Sequence, residues 1–379
     1  MKIGIAYLEY SRRKGIERIS AELADRAAQQ GNEVHYHCAH WSDESTSKVH
    51  FHKVPTLDVF FSSKLISFAV AGKLSLHGGH YDVTHSYGTV VGCDVITAQS
   101  CHRAGMDIAG TLMKDSIESN VNFGIADRVR LCLEQQNFGK RKYKKVIACS
   151  NLVKRELMKY YRVPEHDIVV IPNGVDVKEF HPGNRERFRD GVRQEYGIKK
   201  EEIVLLFVGH EFTRKGLETI VRSLPILDDS RIKVLVCGGD RTEKFRRLAL
   251  SLNVDQQVIF AGPQADVKKF YAASDLFVFP TVHEAFGLVI VEAMASGLPV
   301  IVSKNAGAAE DIIEDGKDGV LLSDPMNPEE LAGHIRSLMN NDSLRTNIGL
   351  AARQKVQNYT WDHCAGKVML VYREMTSMK

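Results

Sequence analysis

The stretch whose reading decides the fold is Pro280–Ser303, PTVHEAFGLVIVEAMASGLPVIVS. Just before it, the strand-like run Leu276-Phe277-Val278-Phe279 stops at Pro280, which cannot donate to a sheet ladder. Gly287 then opens a helical stretch from Leu288 to Ser296, ended by Gly297 and Pro299. Val300-Ile301-Val302 reads as the next buried strand, so the segment is a strand–helix–strand unit. Its chemistry lies in two carboxylates. Glu284 sits in the loop before the helix, and Glu292 about one turn inside it, roughly 6 Å along the axis from Leu288. Between them, the N–H groups near Phe286, Gly287 and Leu288 offer an anion site at a helix N-terminus. A phosphate held there has a carboxylate on each side. That suits a molecule with a diphosphate in the middle and a polyol at each end, a nucleotide sugar.

The same β–α alternation runs through the rest of the chain. KIGIAY opens as a buried strand, followed by a glycine-containing turn and an amphipathic helix carrying Ile16, Ile19, Leu23 and Ala27, with Gly31 at its end. Glu33–Cys38 is the next strand, and this start is the first half of a doubly wound sheet. Gly15 either lets the backbone approach a phosphate, with Arg12, Arg13 and Lys14 supplying charge, or makes only a tight turn. Further strands are expected at Tyr81–His85 and Cys93–Ala98. The loop after the second carries His102, a candidate site residue because ligands bind at the carboxyl ends of strands in open sheets. After Val169–Asp176, where Pro172 stops a strand and Asn173-Gly174 turns sharply, the pattern restarts at Ile203–Gly209. The expected organisation is therefore residues 1–172, residues 173–359, and a terminal helix over 360–379. The fold class is α/β, with two doubly wound, Rossmann-like domains facing across a cleft.

Composition narrows the class. The chain has 379 residues, 44% apolar and 26% charged, a soluble globular balance. A net charge of +3 gives no ground for nucleic acid as a partner. Seven dispersed cysteines without C-x-x-C spacing read as reduced thiols, and no run of about 18 apolar residues occurs. A cytoplasmic protein is expected, since Met1-Lys2 leads straight into a strand rather than a signal peptide. Two segments bear on membranes. Leu57–Leu76 is either a core-facing helix or one lying on a bilayer, and the basic run Lys140–Lys145 is either a solvated face or a contact for phospholipid. Peripheral contact with an anionic membrane, at its inner face, is the expectation they raise.

Arg214 and Lys215, just before Gly216, can clamp a diphosphate and stabilise charge on a leaving nucleoside diphosphate. Cations at a helix start oppose its dipole, so their placement there points to a ligand. No Asp-x-Asp triplet occurs, so a metal held by paired carboxylates is not expected, and neither is any other cofactor. The chain also lacks H-E-x-x-H, a Walker loop and G-x-S-x-G.

Together these features resemble the retaining glycosyltransferases of family 4, with the GT-B fold, over nearly the whole chain. HEAFGLVIVE matches the family's E-x7-E motif at Glu284 and Glu292, and VGHEFTRKG, IPNGVD and PQADVKKFYAASD match in order and spacing. VCGGDRTEKFRRLALSLNV and the RKG loop look most like members that move glucose from UDP-glucose to heptose in the lipopolysaccharide core. The resemblance implies that Arg214 and Lys215 bind the donor diphosphate and Glu292 the ribose. It puts Glu284 with Ala285, Phe286, Gly287 and Leu288 on the sugar and phosphates, Gly15 and Gly209 at the donor, the base near Gln264, and His102 near sugar and acceptor. It implies a hexose transferred with retention, without metal, to a glycan or glycolipid hydroxyl. It also implies a last helix that crosses back onto the first domain. Two departures stand out: Lys14-Gly15 where the family has paired glycines, and His210 where an Arg often follows Gly209. The other classes the sequence leaves open are a sugar-nucleotide epimerase or hydrolase, and an inactive nucleotide-sugar-binding subunit.

Overall fold

The structure, a computed structural model, describes residues 1–12, 15–41, 48–114 and 124–377. Arg13 and Lys14 lie outside the described residues. The chain forms two compact units, Met1–Gly174 with Trp361–Lys379, and Val175–Thr360. The breaks follow Gly174 and Thr360, where the sequence reading drew them after Pro172 and Tyr359.

Unit 1 contains strands β1 (Lys2–Ala6), β2 (Glu9–Tyr10), β3 (Glu33–Cys38), β4 (His40–Trp41), β5 (Val49–Lys53), β6 (Val83–Ser86), β7 (Val95–Ala98), β8 (Lys145–Ala148) and β9 (Ile168–Val170). Seven of them form one sheet in the order β5-β3-β1-β6-β7-β8-β9, while β2 and β4 pair separately. Every pairing in the sheet is parallel. This explains why β1 and β7 read as unbroken apolar runs: a central parallel strand is covered on both faces. The last helix, Trp361–Ser377, belongs to this unit. Its Tyr372 hydroxyl lies 2.5 Å from His85 Nδ1, and His85 Nε2 lies 2.7 Å from Thr97 Oγ1. Burial pushes the His85 imidazole down to about 3, so it stays neutral within this chain of hydrogen bonds.

Unit 2 holds β10 (Ile203–Val208), β11 (Ile232–Cys237), β12 (Val258–Gly262), β13 (Leu276–Phe279), β14 (Val300–Ser303) and β15 (Val320–Leu322). Their order is β12-β11-β10-β13-β14-β15, again all parallel. Each sheet is thus doubly wound. The winding reverses between β1 and β6 in unit 1, and between β10 and β13 in unit 2. A reversal forces the loops after the two central strands apart, and the crevice between them is where such sheets take ligands.

Candidate active site

In unit 2 the residues singled out in the sequence gather at this switch point. The loop after β10 runs through His210–Lys215 to Gly216, which starts the helix Leu217–Leu227. Gly216 has φ +81°, and a Cβ there would lie 1.9 Å from the Pro280 carbonyl oxygen. Only glycine allows the loop to press against the end of β13. Hydrogen bonds join the loops: Val282 N–H and the Thr281 hydroxyl donate to Arg214 O at 2.9 and 3.3 Å, and the Arg214 guanidinium donates to His283 O. Gly209 serves the same packing, since a Cβ there would meet Lys215 Cδ at 2.7 Å and Nζ at 2.9 Å.

The charges converge. Lys215 Nζ lies 3.5 Å and Arg214 Nη1 3.8 Å from Glu284 Oε2, and Arg214 Nη2 donates to Glu211 Oε2 at 2.6 Å. Burial alone would lower the Arg214 pKa, but the Glu211 hydrogen bond and the charges of Glu284 and Glu211 outweigh it and raise it. Glu211 responds in kind: burial opposes its ionisation, yet Arg214 and Lys215 hold its carboxyl below the ordinary range. Lys215 Nζ also stands 5.5 Å from the Phe279 ring centroid, which supports its charge from the side.

The opening stretch supplies the other wall. Glu284 bridges to Ala306, with Gly307 N–H donating to Glu284 O at 2.9 Å and Ala308 N–H to Phe286 O at 2.8 Å. This fastens the loop and leaves the helix Leu288–Ala295 to start at Gly287, whose φ is +93°. Among the described residues no acceptor takes the N–H of Phe286, Gly287 or Leu288. Glu292 is buried one turn further on, and the Tyr271 hydroxyl lies 3.1 Å from its Oε2. Gln264, after β12, turns its side-chain amide onto Ala261 O at 2.6 Å.

In unit 1 the two remaining candidates are placed apart from this cluster along the chain. Gly15 is the first residue of the helix Gly15–Gln29, with open space where a Cβ would be. Arg12 does not stand open beside it. Its guanidinium is committed to Asp25, because a carboxylate that deeply buried needs a charge partner. His102 begins the helix His102–Lys114 after β7. Its backbone N–H donates to Glu134 Oε1 at 2.6 Å, and the Tyr161 hydroxyl donates to Glu134 Oε2 at 2.6 Å. Its Nε2 lies 3.2 Å from Asp127 Oδ1 but out of hydrogen-bonding alignment. Burial, then Arg130, lowers its pKa against the pull of Asp127, so the imidazole is neutral near pH 7.

The sequence reading missed the residues that hold this site. Asp240 accepts from Phe212 N–H at 2.7 Å and so braces the cationic loop. Glu211 and Tyr271 orient Arg214 and Glu292. The Gly-Gly-Asp run at Gly238–Asp240 was the available signal: a Cβ on Gly238 would lie 1.7 Å from Gly209 O.

Two doubly wound units, one carrying paired cations, a carboxylate and open N–H groups at its switch point, define a GT-B type of transferase. Comparison with known proteins bears this out. Residues 188–355 match the sequence profile of the glycosyl transferases group 1, and residues 13–179 that of glycosyltransferase family 4. The D-inositol 3-phosphate glycosyltransferase of Corynebacterium kroppenstedtii is 31% identical over 337 residues, 85% of this chain and 72% of that protein. The chain therefore belongs to the group 1, family 4 glycosyltransferases, and it is a glycosyltransferase. The lipopolysaccharide glucosyltransferase WaaG of Escherichia coli is 25% identical over 337 residues, 87% of each chain. A crystal structure of WaaG shares the fold with a TM-score of 0.80 at 23% identity, over 98% of this chain and 99% of that one. So does Anabaena Alr3699/HepE in complex with UDP-glucose, with a TM-score of 0.75 at 18% identity, over 99% and 100%.

Proposed function

We propose that this glycosyltransferase moves a hexose from a nucleoside-diphosphate sugar, UDP-glucose or a close relative, to a hydroxyl of a glycan or glycolipid. The observation that carries the reading is the Arg214–Lys215–Glu284 cluster beside the open N–H groups of Phe286, Gly287 and Leu288. Arg214 and Lys215 would take the diphosphate and carry the charge that a metal carries elsewhere. Glu292 would bind the ribose hydroxyls, and Glu284 with the Ala285–Leu288 backbone the sugar and phosphates. Gly209 would give the diphosphate room, Gln264 would border the base, and Gly15 and His102 would serve the sugar and acceptor from unit 1. Relatives support the donor class: WaaG is named a lipopolysaccharide glucosyltransferase, and HepE was solved with UDP-glucose.

In this reading the acceptor oxygen attacks the anomeric carbon on the face that the leaving phosphate vacates, so the configuration is retained. The bond from that carbon to the β-phosphate oxygen breaks. The nucleoside diphosphate takes the acceptor's proton, while Arg214 and Lys215 stabilise its charge. The product belongs to lipopolysaccharide or another cell-surface polysaccharide, which would bring the enzyme to the inner face of the membrane.

The test is a panel of nucleotide sugars followed by thermal shift, then assay with glycan acceptors in EDTA. A UDP-sugar should raise the melting temperature, and UDP release should require the acceptor. Release of UDP at full rate without any acceptor would replace the reading with a hydrolase.

A further inference from the structure

The helix Phe61–His77 is apolar on two sides. Leu65, Phe68, Gly72 and Leu76 are buried, and this inward face is fixed. A Cβ on Gly72 would lie 3.0 Å from a Val90 methyl, and Ser75 Oγ lies 2.6 Å from His37 Nδ1. The outward face repeats every fourth residue: Ile66, Val70 and Leu74 are 50%, 60% and 71% exposed. Val59, Phe60 and Phe61 extend it at the helix start, at 74%, 71% and 49%. Core packing accounts for the first set and not for the second. An exposed apolar patch of this kind marks a contact.

The charges around it say with what. The helix has no Asp or Glu. At about 100° per residue, Lys73 falls on one flank of the outward stripe and Lys64 on the other, where Lys64 also makes a surface ion pair with Asp58 at 3.5 Å. Arg130, from the neighbouring helix Ile125–Glu134, lies 5.1 Å over the Phe61 ring, and that helix has no buried residue. An apolar stripe with a cation on each flank is the pattern of a helix lying in a bilayer interface, its lysines reaching the headgroups. A second copy of the chain fits worse, because a two-fold contact would bring the same lysines together.

We propose that this face binds an anionic phospholipid surface, with Ile66, Val70 and Leu74 at the acyl boundary. Its purpose rests on the reading that the acceptor is lipid-linked. An exposed apolar stripe distinguishes this helix from the other membrane candidate. In the Lys140–Lys145 run, Lys144 pairs with Asp94 at 2.7 Å and Lys145 with Glu374 at 3.3 Å, and no large apolar side chain of that run is exposed.

The test is co-sedimentation of the full chain with vesicles of phosphatidylcholine alone, or mixed with phosphatidylglycerol, at low salt. These vesicles carry no acceptor, so the outcome is independent of sugar transfer. The wild type should bind the mixed vesicles and not the neutral ones. Ile66→Ser/Val70→Ser/Leu74→Ser should lose about tenfold or more in binding. Lys64→Glu/Lys73→Glu should lose binding to the mixed vesicles, whereas Lys140→Ala/Lys142→Ala should bind like the wild type. UDP calorimetry on each variant shows that unit 2 is intact, and circular dichroism that the chain is folded. Failure of the wild type to sediment with the mixed vesicles would overturn the proposal. So would wild-type binding by both the serine triple and the charge-reversed pair. A wild-type dimer that the serine triple dissociates would give the face to a second copy instead.

Discussion

Lys215 Nζ stands 3.5 Å from Glu284 Oε2, across the two loops that leave the adjacent strands β10 and β13. With Glu211 on Arg214, the two cations are matched by two carboxylates within ion-pair distance. This balance lets two positive side chains sit next to each other, mostly shielded from water, before a ligand arrives. In the proposed function, a diphosphate entering beside them would bring the surplus negative charge.

Lys215→Ala should leave the fold intact and cut kcat/KM by about 10²–10³-fold, the size expected for removing one donor to a developing charge. Steady-state kinetics with a UDP-sugar checks it, with a melting curve as control. Near-normal turnover would remove Lys215 from the chemistry.

Tyr271→Phe should weaken UDP binding by about 1.5 kcal/mol, roughly tenfold, because it removes the hydroxyl 3.1 Å from Glu292 Oε2. Glu292→Ala should do at least as much. Calorimetry reads both, and unchanged UDP affinity in Glu292→Ala would refute the ribose assignment.

Gly216→Ala should lower the melting temperature and donor affinity together. The φ of +81° costs an alanine about 1–2 kcal/mol, and the methyl would also collide with the Pro280 carbonyl. The collision displaces the joint that aligns Lys215 with Glu284. A variant with wild-type stability would show that the two loops are not pressed together there.

Acid should destabilise unit 1 through His37. Burial, then the charges of His52 and His35, pushes its pKa down to about 3, while its Nδ1 and Nε2 pair with Ser75 and Tyr81. Below the unfolded value of about 6.5 the unfolded chain takes a proton that the folded one refuses, so stability falls as pH drops. His37→Gln should reduce the slope of unfolding free energy against pH by up to about 1.4 kcal/mol per unit between pH 6 and 4. Denaturant melts across that range provide the measurement.

Much of this was legible in the sequence, for a physical reason. The strand, Pro280, Gly287 and the helix after it are local signals, and Glu284 and Glu292 lie within one such unit. Arg214 and Lys215 announced themselves by standing where a helix dipole disfavours them. The supporting residues did not, because Asp240, Tyr271 and Glu211 acquire meaning only from contacts fixed by strand order. The histidines of β3 and β5 behave likewise. His35 and His50, and His37 and His52, become neighbours only through the parallel register of the two strands. Periodicity alone could not assign Leu57–Leu76, since a helix with two apolar faces reads as core and as membrane surface alike. The structure shows that the helix carries both a buried and an exposed apolar face.

The central claim is that the unit 2 cluster is a nucleoside-diphosphate site that works without metal. Its most direct test is calorimetric titration of UDP into the wild type and into Lys215→Ala, both in EDTA. Saturable, one-to-one binding by the wild type and its loss in Lys215→Ala is the predicted result. Wild-type binding that appears only on adding a divalent cation, or equal affinity in the two proteins, would contradict the account.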